Sequence, residues 1–192
     1  MTTDRRTLLL DTAIALIAEQ GLRGLTHRAV QEAAGLKHGS VTYYFKSRDQ
    51  LVLAVIDRII DLDKQRSSAV VHELMRTLAT RPPAGLDFEQ LAALLADWWT
   101  QSRDLLLARY ELDLAGARDP RLREAMSHCG AEFRRLAELV AEAAGSADPA
   151  LDGAVLTNLI DGLMFDFIAR PPQHPEHLTR GLRHAITSIG PV

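Results

Sequence analysis

Apolar positions along this chain recur at helical rather than strand spacing, and capping residues punctuate them regularly. Leu10, Ile14, Ile17 and Ala18 fall three or four apart, which predicts a first helix with one buried face, ended by Gly21. Thr26 can cap a short second helix over about residues 27–34, with Gly35 as the left-handed residue that closes it. A third short helix is predicted at about 38–44. Ser47 and Gln50 form an S-x-x-Q capping box that opens a fourth, running to about Arg66.

Beyond Ser67–Ser68, the positions Val70, Val71, Leu74, Met75 and Leu78 mark a fifth helix, stopped by the segment RPPAG. Asp87 and Gln90 form another capping box. The helix it opens holds Trp98 and Trp99 and continues, past a kink near Ser102, to about Gly116. Asp119–Pro120 and Asp148–Pro149 each set an N-cap before a proline at the first helical position, predicting helices over about 120–144 and 149–169. Pro171–Pro172 stops the second. A final helix over about 175–189 carries Leu178, Leu182, Ala185, Ile186 and Ile189. The fold class is all-α, with about nine to ten helices.

The chain has 192 residues, of which 47% are hydrophobic and 24% charged, enough apolar surface to build a core. No run approaches the ~18 uninterrupted apolar residues of a membrane span. Asp11 and Glu19 interrupt the apolar N-terminal stretch and no small-residue cleavage site follows, so a mature helix is expected there rather than a signal peptide. Cys129 is the sole cysteine, which excludes a disulfide framework or a cysteine metal cluster and fits a cytoplasmic protein. The net charge of −3 conceals an asymmetry: residues 1–48 hold seven Lys/Arg against four acids. A basic front end on an acidic body suggests an anionic partner for the front end alone.

The chemistry of residues 26–46 says which anion. Helix, glycine-containing turn and helix make a helix-turn-helix arrangement. Ala29, Val30 and Ala33 are small enough on one face to let the next helix cross closely, and Val41 and Phe45 supply the buried side of that helix. Its other side presents His38, Ser40, Thr42, Tyr43, Tyr44 and Lys46, groups suited to base edges and phosphate oxygens in a DNA major groove. Thr26, His27 and Arg28 begin the preceding helix, whose first amides favour a phosphate. Gly39 permits close approach, so His38, Gly39 and Ser40 are the candidate base readers.

Residues 8–56 resemble the N-terminal domain of the TetR family of bacterial transcriptional regulators. The stretch AIALIAEQGLRGLTHRAVQEAAGLKHGSVTYYFKSRDQLVLAVI carries the likeness, with G-L-x-x-G-x-V-x-Y-Y-F-x-S-R-D-x-L as turn, recognition helix and start of the fourth helix. The resemblance implies phosphate contacts from Tyr44 and Lys46. It also implies an N-terminal three-helix domain over 1–47 and a larger ligand-binding and dimerisation domain over 48–192, with helix 48–66 as connector. Two departures matter. Lys37 stands where many members have a serine or threonine that caps the recognition helix; it can reach a phosphate instead. Thr42 replaces a frequent tyrosine with a smaller side chain that can meet a thymine methyl.

In the larger domain, Trp98, Tyr110, Phe133, Met164 and Phe167 are candidates to wall an effector cavity, with His128, Cys129, Asn158 and Asp161 as its polar contacts. The predicted helix 149–169 is apolar nearly all round, more than a surface helix needs. One face should therefore serve the core and the other a second subunit, with Leu156, Leu159, Ile160, Leu163, Leu182 and Ile186 as the homodimer contacts.

An enzyme is the rival of a different class. The chain has no helical H-x-x-x-H pair with an acidic partner and no G-x-S-x-G, Walker or Rossmann pattern, and HPEH at 174–177 lies beside prolines at a helix start. No catalytic residue, cofactor or metal ligand is therefore assigned. The expected function is a repressor that binds a palindromic operator as a dimer and is released by a small-molecule effector; the alternatives are a regulator without an inducer and a helical module without DNA.

Overall fold

In the computed structural model the caps close largely where the residue types allow. The structure describes residues 4–37, 39–78, 80, 85–170 and 176–189, and all elements among them are helical. These are α1 Arg5–Gly24, α2 His27–Ala33, α3 Ser40–Tyr44, α4 Arg48–Leu78, α5 Phe88–Gln101, α6 Arg103–Gly116, α7 Pro120–Met126, α8 Ala131–Ala143, α9 Pro149–Ala169 and α10 Glu176–Thr187. Thr26, Asp119 and Asp148 accept from Ala29 N, Arg121 N and Leu151 N at 3.0, 3.0 and 3.1 Å. Ser47 Oγ accepts from Gln50 N at 3.2 Å, but Gln50 Oε1 returns to Lys46 N at 2.9 Å, one residue before the amide that a closed capping box would satisfy.

Three element expectations are corrected. The fourth helix does not end near Arg66: α4 runs 31 residues through Ser67–Ser68, and Ser68 Oγ donates back to the Gln65 carbonyl at 2.9 Å, so its hydroxyl is satisfied inside the helix. The separate fifth helix is its second half. The helix expected over 120–144 is two, because Gly130 adopts a left-handed φ of 71° between α7 and α8. The recognition helix starts at Ser40 rather than 38, and His38 lies outside the described residues, as do Pro171–Pro172 and the prolines of RPPAG. The expected break at Ser102 is present: its φ of −104° and ψ of 12° separate α5 from α6.

Two compact units divide the chain. The first comprises Met1–Asp63 and Ser102–Cys129, the second Lys64–Gln101 and Gly130–Val192, so α4 contributes to both. Packing thus groups the chain differently from a boundary at 47–48, because α6 and α7 join the reader's unit.

In the first unit, Leu9, Ala13 and Ile17 of α1 pack with Val30, Val41, Phe45 and the Leu51, Val55, Ile56 and Ile59 row of α4, closed by Leu105, Ala108 and Leu112 of α6. Each of the larger side chains among them contributes about 1.5–3 kcal/mol by leaving water. Arg58 donates to both Asp11 oxygens, at 2.8 and 3.2 Å, and ties α4 to α1.

In the second unit α8 and α9 cross at Gly153, where an added Cβ would lie 2.7 Å from Glu138 N. Arg183 of α10 covers the Phe88 ring of α5 at 4.6 Å. The core here comes from Leu91, Leu95, Leu136, Val140, Leu156, Met164, Ile168, Leu182 and Ile186.

Candidate nucleic-acid interface

The reader is built on two short helices whose buried side chains fix which residues point away. Val30 of α2, Val41 of α3 and Phe45 just after it are buried in the first unit's core. With Val41 and Phe45 inward, helical periodicity turns Thr42 and Tyr43 out: Thr42 is exposed and Tyr43 is 73% exposed, among the most exposed large side chains described. Ser40 is half-buried at the start of α3. Tyr44 is half-buried against the core, so its ring packs as well as facing the reader's edge, and it meets Tyr43 edge-on at 5.0 Å. Exposed Lys46 holds its ammonium 5.8 Å from the Tyr43 ring. That pairing gathers an aromatic face, a phenol and a cation on one small surface.

At the head of α2, Thr26 spends its side-chain oxygen on the cap while remaining exposed. Arg28 is exposed and pairs with Glu32 one turn on at 2.8 Å; the hydrogen bond, then the charge of Glu32, raises its pKa above the ordinary arginine value. Such a pair contributes little stability in water, so Arg28 remains available to a stronger anion. His27 is half-buried, with Nε2 enclosed and without a hydrogen-bond partner, which does not fit a purely solvated histidine. Lys37 is exposed, but it does not occupy the cap position of α3; Gly39 does, with φ 86°.

Two contributors went unnoticed in the sequence. Arg48 counted only as a charge, yet it donates to the carbonyls of Leu25 at 3.0 Å and Leu22 at 2.6 Å, pinning the segment that leads into α2. Gln31 Oε1 accepts from Gly39 N at 2.8 Å. Motif reading has no signal for either bond, since each joins residues whose approach is set by the tertiary fold.

Comparison with known proteins agrees with this geometry. The model for "Bacterial regulatory proteins, tetR family" matches residues 9–55, and that for "Tetracyclin repressor-like, C-terminal domain" matches 86–189. The chain belongs to the TetR family of bacterial regulatory proteins. The HTH-type transcriptional repressor KstR2 of Rhodococcus jostii is 42% identical over 57 residues, which is 30% of this chain and 28% of that protein. This TetR-family chain therefore matches little more than a quarter of that relative's length. The multidrug binding protein EbrR, solved with proflavin, is 26% identical with a TM-score of 0.58, over 95% of this chain and 99% of that one. A TetR-family member from Streptomyces coelicolor A3 is also 26% identical, with a TM-score of 0.68, over 98% and 99%.

The residues expected to wall an effector cavity in this TetR-family chain are divided between the two units. Tyr110, His128 and Cys129 belong to the first unit: Tyr110 is half-buried beside Arg109, His128 is exposed, and Cys129 is buried in the reader's own core. In the second unit Trp98 stacks on Phe133 at 5.0 Å and Trp99 meets Phe167 at 5.6 Å. Both tryptophans are buried, with indole nitrogens enclosed and without a hydrogen-bond partner. Met164 is buried, Asp161 half-buried and Asn158 exposed. A groove of about 620 Å³ lies elsewhere in this unit, lined by Leu74, Leu86, Leu91, Leu94, Thr77 and Gln90 among others.

The dimer contacts also need sorting. Leu156, Leu182 and Ile186 are buried within their own unit, so they are core residues and not surface contacts. Leu163 is half-buried against α10, where a Cβ at Gly181 would lie 2.6 Å from its Cδ2. Ile160 is half-buried and Leu159 exposed, in line with exposed Leu151 and Val155 at four-residue spacing.

Proposed function

We propose that this TetR-family regulator is a repressor: a homodimer that grips a palindromic double-stranded operator with two copies of α2–α3 and releases it when a small, mostly apolar effector binds the second unit. The observation that carries the DNA reading is the division of residues 40–46, with Val41 and Phe45 buried and Thr42, Tyr43 and Lys46 turned out. Ser40 and Thr42 have the reach and hydrogen-bonding groups for base edges, Thr42 also offering a methyl to thymine. Tyr43, Tyr44, Lys46, Lys37 and the start of α2 address phosphates, which fix register without reading sequence.

A short reader covers few base pairs, so specificity requires two, and a closed two-fold assembly supplies them. The Leu151, Val155 and Leu159 row of α9 is the surface that favours that pairing, because it leaves large apolar side chains exposed along one face. For the effector, the leucine-lined groove beside α4 and α5 is within the usual range of about 300–1,000 Å³ for ligand sites, and Thr77 and Gln90 offer polar orientation. The relative EbrR, solved with the planar aromatic cation proflavin, supports an aromatic ligand class. Helix α4, which contributes to both units, is the route by which effector binding would reach the reader. The effector shifts DNA binding only by its differential affinity for the two states, and DNA must weaken effector binding by the same factor. A reader of bacterial operators works in the cytoplasm.

The test is fluorescence anisotropy on DNA upstream of the protein's own gene against scrambled DNA of equal length. Preference for the upstream DNA, with affinity falling steeply as salt rises, supports the reading. Equal affinity for both, or none for either, refutes it. Trp98 and Trp99 are the only tryptophans and the three tyrosines lie in the first unit, so a ligand screen read by tryptophan-selective fluorescence has its probes in the second unit.

A further inference from the structure

We propose that Gln31 is a positioning residue for the recognition helix, holding from α2 the backbone amide of Gly39, the residue at which that helix opens. The inference rests on the operator-binding reading above. Helix α3 has five residues, too few to be stable alone, and the amides of its first turn have no partners within the helix. Gly39 sits at the cap position with φ 86° and has no side chain to accept a hydrogen bond. Lys37, two residues earlier, carries an ammonium, which donates and never accepts. The Lys37 carbonyl accepts from Ser40 N at 3.2 Å, and Gln31 Oε1 holds the cap residue itself, accepting from Gly39 N at 2.8 Å across eight residues.

The same residue also holds the other end of the turn. Its backbone carbonyl accepts from Leu36 N at 3.1 Å, while Gly35 N donates to the Glu32 carbonyl at 3.1 Å, the paired bonds that close α2 around left-handed Gly35. Gln31 thus fixes where the chain leaves α2 and where it enters α3. Ser40 follows Gly39 directly, so a tether on the Gly39 amide sets the position of Ser40 and the direction of the helix that carries Thr42 and Tyr43. Gln31 is half-buried and is not one of the outward residues of α3; its effect on DNA passes through the helix it caps.

This makes Lys37 intelligible. A serine or threonine there would serve as a local cap; with the cap moved to Gln31, position 37 is released to carry a charge. The prediction is energetic coupling between positions 31 and 37, tested with an operator selected by the wild-type chain from random DNA. If the wild type selects no sequence, the operator reading itself fails. If it does, Gln31→Ala should lower operator affinity by up to about five-fold per recognition helix, the effect of losing one ordinary cap, and so about twenty-five-fold for two half-sites. Nonspecific affinity and its salt slope should stay at wild-type values, since every phosphate-binding group is still in place. In a Lys37→Ser background the same Gln31→Ala change should cost markedly less, because the serine can take over the cap, and the cycle cancels the direct effect of removing Lys37. Protection of the Gly39 amide from hydrogen exchange should fall in Gln31→Ala and return in the double variant. Equal weakening of specific and nonspecific binding, or the same cost in both backgrounds, or no weakening at all, overturns the proposal.

Discussion

Leu159→Glu is the sharpest test of the proposed dimer, because burial separates association from folding at this position. Leu159 is 42% exposed in the single chain, and Val155 and Leu151 on the same row are 44% and 60% exposed. Burying a leucine fully contributes about 1.5–3 kcal/mol, so the part of Leu159 still exposed is worth about 0.6–1.3 kcal/mol in each subunit of an interface. Glutamate loses that contribution twice in a two-fold dimer and adds two carboxylates that must be desolvated near each other. Together these should exceed about 3 kcal/mol, a weakening of dimerisation by more than about a hundred-fold. Sedimentation velocity over a dilution series should show monomer where the wild type is dimer, with operator affinity falling in step. The fold should persist, because the replaced atoms face solvent in the monomer. Leu156→Ala is the contrast: Leu156 is 1% exposed, and its truncation should cost about 2–5 kcal/mol of stability. A Leu159→Glu chain that stays dimeric at wild-type concentrations, or that becomes monomeric with operator affinity unchanged, would refute the reasoning.

Lys46→Ala should weaken specific and nonspecific DNA binding alike and reduce the salt slope by roughly one unit for each phosphate that Lys46 neutralises, measured by anisotropy across ionic strength. Ser40→Ala should leave that slope unchanged and relax preference at particular base pairs by about 1–3 kcal/mol, seen by competition with single-substitution operators. Arg48→Lys should lower the thermal midpoint almost as far as Arg48→Ala, since an ammonium cannot span the Leu22 and Leu25 carbonyls as the guanidinium fork does; a wild-type midpoint for the lysine variant would contradict this.

Much of the fold could be read from the chain because its signals are local. Thr26, Asp119 and Asp148 each cap within three residues, and the Leu10, Ile14 and Ile17 face is buried as periodicity requires. Where reading failed, a local preference was overruled by something nearby that periodicity does not weigh. Ser67–Ser68 resembles a break, but a serine that bonds back to the preceding turn leaves the helix intact. Gly130 lies inside an apolar pattern that suggested one helix, yet its left-handed backbone makes two. The all-round apolar character of α9 was visible, but which residues face the core was not. Leu156 and Leu159 are three apart and equally apolar, and only the crossing with α8 at Gly153 decides that one is buried and the other exposed.

The reader shows the same limit in finer detail. Its outward chemistry was legible because alternation of Val41 and Phe45 with Thr42 and Tyr43 leaves one choice of face. What holds that face in place was less so, because several of the bonds that do so join distant positions: Gln31 to Gly39, Arg48 to Leu22 and Leu25, and Glu111 to the Leu22 amide at 3.4 Å. A glutamine on a helix or an arginine after a capping serine has several geometrically possible partners, and sequence spacing does not rank them. The effector candidates meet the same limit. An aromatic residue on an apolar face is equally consistent with core and cavity, and the choice depends on whether its neighbours meet. Phe133 and Phe167 do meet Trp98 and Trp99, and the open groove is lined by other residues, leucines together with Arg76, Thr77, Asp87 and Gln90, none of which periodicity marks as a ligand contact.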